Sequence, residues 1–405
     1  MSSFIINGGI PLRGDVTVSG SKNASLPVLF ATLITDGVSR IRNLPDIKDV
    51  NVALEIIKCL GARIDTVDGV TVIDTTRLNL VWPGEELVSS LRASTYLIGA
   101  MLVRFGRARL SSFGGCNFSV RPIDLHIKAA AAFGAKLLGE ELFLDKPCGC
   151  VHKIEKASVG ATVNSLLLAA GTPTESMLLG CAREPHVDTL IDYLRSAGAE
   201  IFEDGGTLRI RGGKLCGGNV TIPGDMIEAG TYLCASALTG GSVRVLGANA
   251  KELDSFINPL REAGVKFNVE FGISMCGLPR EPVEIYTSPY PAFPTDLQPI
   301  IAPLLAKGSG GSITEGVWQG RFGYLKELAK LGVMSRIVDN FACIYPSKLK
   351  CGEINAVDLR GGAAGVISAL CSVGESRISC AGNILRGYEN LDGKLRSLGA
   401  DVSVV

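Results

Sequence analysis

The sequence DVTVSGSK at residues 15–22 returns in altered form as NVTIPGDM at residues 219–226, about half a chain later. In each copy an alternation of apolar and polar residues predicts a strand, and the apolar run that follows the glycine predicts a buried helix. A duplication of this kind indicates two domains of similar build. We place the linkers between them near Ser21 and Gly224.

A shorter motif, in which a glycine ends an amphipathic stretch typical of a helix, occurs six times. The glycines are Gly61, Gly134, Gly198, Gly264, Gly332 and Gly399, at spacings of 64 to 73 residues. Glycine is favoured just beyond the end of a helix because it adopts left-handed backbone angles without strain. The spacing is too long for a solenoid repeat and suits a small α/β subdomain.

Each repeated unit combines one charged helix with one that is almost wholly apolar, as at residues 166–170 and 233–238. A helix that is apolar on every side must be buried. We therefore predict an α/β protein of two inside-out α/β barrels, each made of three βαβαββ-like units with helices inside and sheets outside. The predicted domains are residues 22–223 and residues 1–21 with 224–405, with the active site in the cleft between them.

The composition argues against several classes of protein. The 405 residues include 40 Lys and Arg against 40 Asp and Glu, and this zero net charge does not favour non-specific binding of nucleic acid. The apolar stretches are shorter than the roughly 20 residues of a membrane span, and the start lacks the pattern of a signal peptide. We expect a cytoplasmic protein with neither a membrane nor a nucleic-acid partner. Twelve scattered cysteines and three histidines favour neither a disulfide framework nor a zinc site, so no metal and no cofactor are expected.

The six strand-to-helix junctions occupy equivalent places, so the polar residues at them should gather at one end of each domain. These residues are Lys22, Arg92, Ser158, Asp225, Asp296, Asp358 and Arg360. Helix N-termini present unpaired N–H groups and the positive end of the helix dipole, which bind anions. Ser158, Asp225 and Asp358 suit helix caps. Lys22 and Arg92 oppose the dipole and therefore need a ligand or a partner.

One loop, FGGCNFSVRPIDLH at residues 113–126, carries a candidate reactive group. A thiol on a glycine-rich loop near a cation acts as an acid or a nucleophile when its pKa is lowered, and Cys116 lies five residues before Arg121. The alternative is a cysteine in an ordinary turn. Pro122 suits the first turn of the helix that follows, and His126 is expected to be a structural residue.

With these residues in place, the chain resembles the enolpyruvyl transferases, and among them those whose acceptor is UDP-N-acetylglucosamine. The matching segments are residues 21–24, 91–94, 114–116, 121–126, 156–160, 294–296, 358–360 and 386–389. They occur in order and span nearly the whole chain. The cysteine loop is absent from the shikimate-pathway relative of these enzymes.

The resemblance implies transfer of the enolpyruvyl group of phosphoenolpyruvate to the 3′-hydroxyl of UDP-N-acetylglucosamine with release of phosphate, by a monomer that serves peptidoglycan synthesis. The implied catalytic residues are Cys116, on a mobile loop at about 112–122, Asp296, Lys22 and Arg386. For phosphoenolpyruvate the implied binding residues are Lys22, Asn23, Arg121, Arg386 and Arg360. For UDP-N-acetylglucosamine they are Arg92, Arg121, Pro122, Ile123, Asp124, Leu125, Lys156, Ser158, Val159, Gly160, Asp296 and Val317. In this scheme Cys116 protonates the methylene carbon and Asp296 accepts the hydroxyl proton.

Several positions depart from the family pattern, and three of them concern charged residues at the implied site. Met226 stands where an arginine is usual, Gln319 where a glutamate is usual, and Leu385 where an aspartate is usual. The loss of these charges leaves two alternatives open. One is an enolpyruvyl transferase with a different acceptor, and the other is a UDP-sugar-binding paralogue without activity.

Overall fold

The computed structural model describes residues 2–110, 113–114 and 122–405. These residues divide into two compact units. Unit A contains residues 20–110, 113–114 and 122–223, and unit B contains residues 2–19 and 224–405. No helix among the described residues is long and apolar enough to span a membrane.

The helices and strands follow one another in a regular order. The helices are α1 (Lys22–Ala31), α2 (Lys48–Cys59), α3 (Glu85–Ser90), α4 (Leu97–Phe105), α5 (Asp124–Ala132), α6 (Val159–Ala170), α7 (Pro185–Ser196), α8 (Met226–Thr239), α9 (Asp254–Glu262), α10 (Gln298–Lys307), α11 (Tyr324–Lys330), α12 (Leu359–Leu370) and α13 (Leu391–Ser397). The first twelve strands are β1 (Ser3–Gly8), β2 (Arg13–Thr17), β3 (Val38–Arg42), β4 (Arg63–Val67), β5 (Val70–Asp74), β6 (Arg107–Arg109), β7 (Lys136–Leu138), β8 (Glu141–Phe143), β9 (Val151–Lys153), β10 (Ser176–Leu179), β11 (Glu200–Asp204) and β12 (Thr207–Arg211). The others are β13 (Asn219–Thr221), β14 (Ser242–Leu246), β15 (Lys266–Asn268), β16 (Ile273–Cys276), β17 (Val283–Thr287), β18 (Gly311–Glu315), β19 (Met334–Val338), β20 (Phe341–Tyr345), β21 (Glu353–Asn355), β22 (Gly374–Ser379) and β23 (Asp401–Val404).

These elements form six sheets within the described ranges, one for each predicted repeat. Five sheets have four strands, in the orders β13-β3-β5-β4, β11-β12-β10-β9, β15-β16-β14-β2, β17-β18-β20-β19 and β21-β22-β1-β23, and the sixth is β6-β8-β7. In each four-stranded sheet one parallel pair adjoins antiparallel strands, as β17 and β18 adjoin β20 and β19. The predicted fold class, with three βαβαββ-like units in each half, is therefore confirmed.

The cores of the two units consist of helices that are buried on all sides. In unit B the helices α8, α10 and α12 contact one another, and all twelve residues of α12 are buried. In unit A the helix α4 contacts both α1 and α6, and residues 161–170 of α6 are buried. Each fully buried leucine or isoleucine in such a core contributes about 1.5–3 kcal/mol through the removal of apolar surface from water. The amphipathic helices lie farther out, and α9 has only Phe256, Ile257 and Leu260 buried.

The six repeated glycines share one backbone conformation. Each stands two residues beyond an amphipathic helix, α2, α5, α7, α9, α11 or α13, and the φ angles of all six lie between 88° and 109°. This left-handed region is open to glycine and costly for residues with a Cβ atom. The glycines end the helices and turn the chain toward the next strand, as the sequence predicts.

The duplicated sequence contains the strands β2 and β13. Each of them completes a sheet in one unit, and the chain then enters the other unit. Strand β2 precedes helix α1 of unit A, yet it pairs in parallel with β14 of unit B, from Arg13↔Ser242 to Thr17↔Leu246. Strand β13 precedes helix α8 of unit B, yet it pairs in parallel with β3 of unit A. The chain then passes between units at residues 19–20 and 223–224.

A buried ion pair fixes the chain next to the first of these passages. The Glu228 carboxylate, in helix α8, accepts a hydrogen bond from the backbone N–H of Ser19 at 2.8 Å and pairs with Lys394 Nζ, from helix α13, at 2.7 Å. Lys394 also donates to Ser19 Oγ at 2.6 Å. The Glu228 side chain is 2% exposed. Burial raises its pKa, although Lys394 acts in the opposite direction.

We expect Lys394→Met to destabilise unit B by about 3–5 kcal/mol, because it leaves the Glu228 carboxylate buried without its cation. The pKa of Glu228 should then rise further above its ordinary value of 4.5. A carboxyl whose pKa is raised by folding stabilises the fold below its ordinary pKa and less so as the pH rises. The loss measured by denaturant unfolding should thus be smallest near pH 4.5 and grow toward neutral pH.

The double variant Glu228→Gln/Lys394→Met is the control. It has no buried charge and keeps an acceptor for the Ser19 N–H, so it should recover most of the lost stability. A loss that is independent of pH, or that persists in the double variant, would contradict the role assigned to this pair.

Candidate active site

In unit B, Asp296 lies just before helix α10 and is held by two arginines. Its Oδ1 accepts a hydrogen bond from Arg321 Nη2 at 3.0 Å and its Oδ2 accepts one from Arg360 Nη2 at 3.3 Å. The side chain of Asp296 is 27% exposed, against 6% for Arg321 and 3% for Arg360. The arrangement is an accessible carboxylate held by two buried guanidinium groups.

Arg360 is buried because its surroundings compensate for its charge. It is the second residue of α12, and its guanidinium lies 5.3 Å from the centroid of the Tyr388 ring. The hydroxyl of Tyr388 is in turn hydrogen-bonded to Thr231 in α8 at 2.8 Å. Two further donors of Arg360, Nε and Nη1, are buried and have no hydrogen-bond partner among the described residues. An anion would satisfy such donors.

A second carboxylate organises the chain around Asp296. Glu315, at the end of β18, accepts a hydrogen bond from Thr295 Oγ1 at 2.9 Å. It also accepts hydrogen bonds from the backbone N–H groups of Val317 and Trp318, at 2.9 and 3.0 Å. The segment that contains the predicted contact residue Val317 is therefore linked to the residue next to Asp296.

The acidic and hydroxyl side chains at three helix starts are caps, as predicted. Asp225 Oδ1 accepts from the N–H groups of residues 227 and 228 at 2.7 and 3.2 Å. Asp358 Oδ1 accepts from residues 360 and 361 at 2.9 and 2.8 Å. Ser158 Oγ accepts from Ala161 N–H at 3.3 Å. These side chains satisfy backbone donors that would otherwise lack partners at a helix start.

In unit A, Lys22 has the partner that its position at the start of helix α1 requires. Lys22 Nζ lies 2.7 Å from Asp49 Oδ2, and the two side chains are 14% and 5% exposed. Asp49 is in the first turn of helix α2. The carboxylate offsets the repulsion between the ammonium group and the positive end of the helix dipole. Asn23 follows in the same turn and is half-buried.

Arg92, the other cation at a helix start, begins a 3₁₀ turn, residues Arg92–Tyr96, which leads into α4. Its side chain is half-buried, and burial lowers the pKa of its guanidinium. Tyr96 packs edge to face against Phe30 of α1, with ring centroids 6.1 Å apart. The turn that carries Arg92 is therefore attached to the helix that carries Lys22.

His126 joins the starts of helices α5 and α6. Asn164 Oδ1 accepts a hydrogen bond from Gly99 N–H at 2.6 Å, so its Nδ2 group faces His126 Nδ1, 2.7 Å away, and donates to it. This places the imidazole proton on Nε2. Burial lowers the pKa of His126 to about 4, and the charge of Arg92 acts in the same direction. A Cβ atom at Gly160 would lie 2.6 Å from His126 Cε1, so this contact requires glycine. The expectation of a structural histidine is confirmed.

The predicted acceptor-binding segments lie beside this histidine. Helix α5 begins at Asp124, two residues after Pro122, so the expectation that Pro122 occupies the first helical turn is wrong. Pro122 and Asp124 are exposed, while Ile123 and Leu125 are half-buried. Lys156 is exposed, and residues 158–160 form the half-buried start of α6.

Two of the predicted site residues fall outside the described ranges, whereas the predicted residue Arg386 lies in unit B. Cys116 and Arg121 are among the residues that the structure does not describe. Arg386 is half-buried and lies between the 3₁₀ turn Ala381–Asn383 and α13. Leu385, which precedes it, packs against the hydrophobic core, and so does Met226. Apolar side chains at these two positions thus have a packing role.

The sequence matches a known protein family over almost its whole length. The family described as EPSP synthase (3-phosphoshikimate 1-carboxyvinyltransferase) matches residues 6–395. The chain belongs to this family. A relative from Caldanaerobacter subterraneus subsp. tengcongensis, named UDP-N-acetylglucosamine 1-carboxyvinyltransferase 3, is 44% identical, and the alignment covers 99% of each chain. A relative from Halothermothrix orenii, named UDP-N-acetylglucosamine 1-carboxyvinyltransferase, is 38% identical over 100% of both.

The solved structures include one with a closely similar fold. The enolpyruvyl transferase NikO from Streptomyces tendae superposes with a TM-score of 0.90 at 27% sequence identity, covering 100% of this chain and 99% of that one. Within the described residues no group of three or more His, Cys, Asp or Glu side chains is arranged to hold a metal ion.

For this family member, sequence reasoning missed Asp49 and Glu315 as parts of the candidate site. Both are buried carboxylates in segments without a recognisable motif. Each carboxylate is distant in sequence from its partner: Asp49 is 27 residues from Lys22, and Glu315 is 20 residues from Thr295. The sequence of β18, GSITE, contains a single aliphatic residue, so its pattern gives no signal that Glu315 is buried.

We expect His126 to remain neutral down to about pH 4 in the folded protein. A histidine whose pKa is lowered by folding supports the fold above its ordinary pKa of 6.5, and this support is lost as the pH falls toward 4, because only the unfolded chain takes up the proton in that window. The imidazole signals in an NMR titration should show one of the three histidines unchanged between pH 8 and 5.

The variant His126→Asn assigns that signal by its absence. Its unfolding free energy should depend less on pH between about 6.5 and 4 than that of the parent protein. Titration of the His126 signal near pH 6.5 would contradict the buried, neutral state.

Proposed function

We propose that this chain transfers the enolpyruvyl group of phosphoenolpyruvate to the 3′-hydroxyl of UDP-N-acetylglucosamine and releases phosphate. The observation that carries the proposal is the accessible Asp296 carboxylate on its two buried arginines, in a chain whose full-length relatives carry the name of that activity. We propose further that the protein acts as a monomer in the cytoplasm, with these two small molecules as its partners.

Asp296 is proposed as the acceptor of the hydroxyl proton. An ionised carboxylate is a competent general base when it lies within hydrogen-bond reach of the hydroxyl. Arg321 and Arg360 hold both of its oxygens, so its direction is fixed before the acceptor binds. Such preorganisation lowers the cost of reaching the transition state.

The phosphate and carboxylate of phosphoenolpyruvate are proposed to bind to cationic side chains. The proposed binding residues are Lys22, Asn23, Arg121, Arg360 and Arg386. The paired state of Lys22 with Asp49 supports this role, since an ammonium group fixed by a carboxylate is positioned for a second anion. The two buried donors of Arg360 support a role beneath the same substrate.

UDP-N-acetylglucosamine is proposed to bind along the starts of helices α5 and α6, at Arg92, residues 121–125, Lys156 and residues 158–160, with Asp296 and Val317 at the sugar. The N-terminus of α6 has N–H groups that suit a diphosphate, and Gly160 lets the helix approach its neighbour closely.

The reaction is proposed to run by addition and elimination. The sugar oxygen bonds to C2 of phosphoenolpyruvate while C3 takes a proton from Cys116 and Asp296 takes the hydroxyl proton. The resulting tetrahedral intermediate then loses a proton from C3 and expels phosphate from C2, which leaves the enol ether. Each step balances without an oxidant or a metal ion. The cysteine segment also distinguishes this proposal from the shikimate-pathway reaction, whose enzyme lacks that loop.

A different acceptor is the second candidate. The structure with a TM-score of 0.90 is described only as an enolpyruvyl transferase, and Gln319, where a glutamate is usual, is exposed in the loop next to Val317. A neutral amide there alters the charge that an acceptor meets. The non-catalytic alternative is less well supported, since Lys22, Asp296 and Arg386 are all present.

The proposal predicts that the purified protein releases phosphate from phosphoenolpyruvate only when UDP-N-acetylglucosamine is present. Colorimetric measurement of phosphate, with uridine nucleotides and other UDP-sugars as alternative acceptors, separates the candidates. Fosfomycin should abolish turnover and label Cys116, as the resemblance implies. Turnover with another acceptor alone would support the second candidate. Thermal stabilisation by UDP-sugar without turnover with any acceptor would support the binding paralogue.

Asp296→Asn should lower kcat by about 10²–10⁴-fold, the usual contribution of a general base, and change the KM for the acceptor much less. The amide keeps one oxygen for an arginine but accepts protons poorly. A circular dichroism melt controls for disturbance of the two arginines. A kcat within a few-fold of the parent value would remove Asp296 from the proton transfer.

A further inference from the structure

The buried carboxylate of Glu315 connects two segments that are 20 residues apart in the chain. Glu315 is 2% exposed. Its Oε2 accepts a hydrogen bond from Thr295 Oγ1, and its Oε1 accepts from the N–H groups of Val317 and Trp318. All three contacts are donors to the carboxylate, and a desolvated carboxylate needs such donors to remain buried.

The first segment carries Asp296. Thr295 is its immediate neighbour, so the bond from Thr295 to Glu315 limits how far the backbone at Asp296 can shift. The second segment carries Arg321, which donates to Asp296 at 3.0 Å. Glu315 therefore fixes the loop that leads to one partner of Asp296 and also the residue that precedes Asp296.

The same loop approaches strand β17 closely. Gly316 N–H donates to Thr287 O at 3.1 Å, and a Cβ atom at Gly316 would lie 2.4 Å from that oxygen. With Gly316 held from one side and the next two N–H groups held by Glu315, the backbone of Val317 has little freedom. Val317 is the residue proposed above to lie at the acceptor sugar.

We propose that Glu315 is a positioning residue for the reaction: it holds the proton acceptor Asp296 and the sugar-contacting backbone of Val317 in one fixed frame. This inference rests on the proposed function. Glu315 is not proposed to contact a substrate, because its carboxylate is buried and accepts hydrogen bonds from the two segments that it joins.

The role has two parts, the link to Thr295 beside Asp296 and the link to the backbone of Val317. The hydrogen bonds indicate which substitutions separate these two parts. In Glu315→Gln the amide oxygen still accepts from the loop, and the amide N–H₂ donates to Thr295 Oγ1 once that hydroxyl rotates. All three contacts survive without the charge. Thr295→Val removes only the link toward Asp296. Glu315→Met fills a similar volume and removes both links.

The experiment compares steady-state kinetics of these three variants with phosphoenolpyruvate and UDP-N-acetylglucosamine. Glu315→Met should lower kcat by about 10²-fold, the usual effect of a displacement of about 1 Å at a reacting group, and raise the KM for the acceptor. Thr295→Val should lower kcat while leaving that KM unchanged, because Val317 stays fixed. Glu315→Gln should keep kcat within about threefold of the parent value.

Glu327→Met is the matched control. Glu327 accepts a hydrogen bond from the backbone N–H of Asn355 at 2.8 Å and from Lys330, and it too joins separate segments of unit B. Glu327 has no contact with Asp296 among the described hydrogen bonds. Its replacement should therefore reduce the stability of unit B without lowering kcat or raising the KM for the acceptor as Glu315→Met does. Equal kinetic effects of Glu315→Met and Glu327→Met would overturn the proposal, as would an unchanged kcat in a destabilised Glu315→Met.

Hydrogen exchange distinguishes failure of this inference from failure of the proposed function. The amides of residues 317 and 318 should exchange faster in Glu315→Met and at the parent rate in Glu315→Gln and Thr295→Val. An inactive parent protein with this exchange pattern would refute the proposed function and leave the link intact. Unchanged exchange in Glu315→Met would refute the link, whatever the activity.

Discussion

A helix that is buried on every side can present charged side chains only at its ends, and this constraint governs where chemistry can occur in both units. The middles of α6, α8, α10 and α12 contain no charged residue because each faces other helices and sheets. The acidic and basic residues of these helices stand near their ends, and the unpaired N–H groups of the first turns need acceptors. Caps, cations and the Asp296 carboxylate are thus concentrated at helix starts by the packing of the core.

The same constraint explains why a buried cation at such a helix start needs a compensating group, as Lys22 and Arg360 show. Lys22 has Asp49, and Arg360 has Asp296 and the face of Tyr388. A positive charge at the positive end of a helix, away from water, is stable only with a nearby carboxylate or π face. The compensating groups fix these side chains without a ligand, so under the proposed function an anionic substrate would meet cations that are already oriented.

The fold class was predictable because its signals are local. A glycine that ends an amphipathic helix and an uninterrupted apolar run are both read within a dozen residues, and both recur six times. Capping by Asp225 and Asp358 was predictable for the same reason. The partners Asp49, Glu315 and Arg321 were not predictable, because their roles arise from contacts between distant segments. The start of α5 was misplaced because a proline near a helix start is also common just outside it.

The pairing of β1 has a consequence for folding during synthesis. Strand β1, at residues 3–8, is synthesised long before its partners β22 and β23, which begin at residues 374 and 401, and Phe4 lies opposite Val404. Unit A is complete once residue 223 has emerged, so it can fold while translation continues at ~5–20 residues per second. Strand β2 can pair with β14 once residues 242–246 have been made, whereas β1 must stay unpaired until β22 and β23 have been made, which leaves an apolar strand edge exposed to chaperones over much of the synthesis.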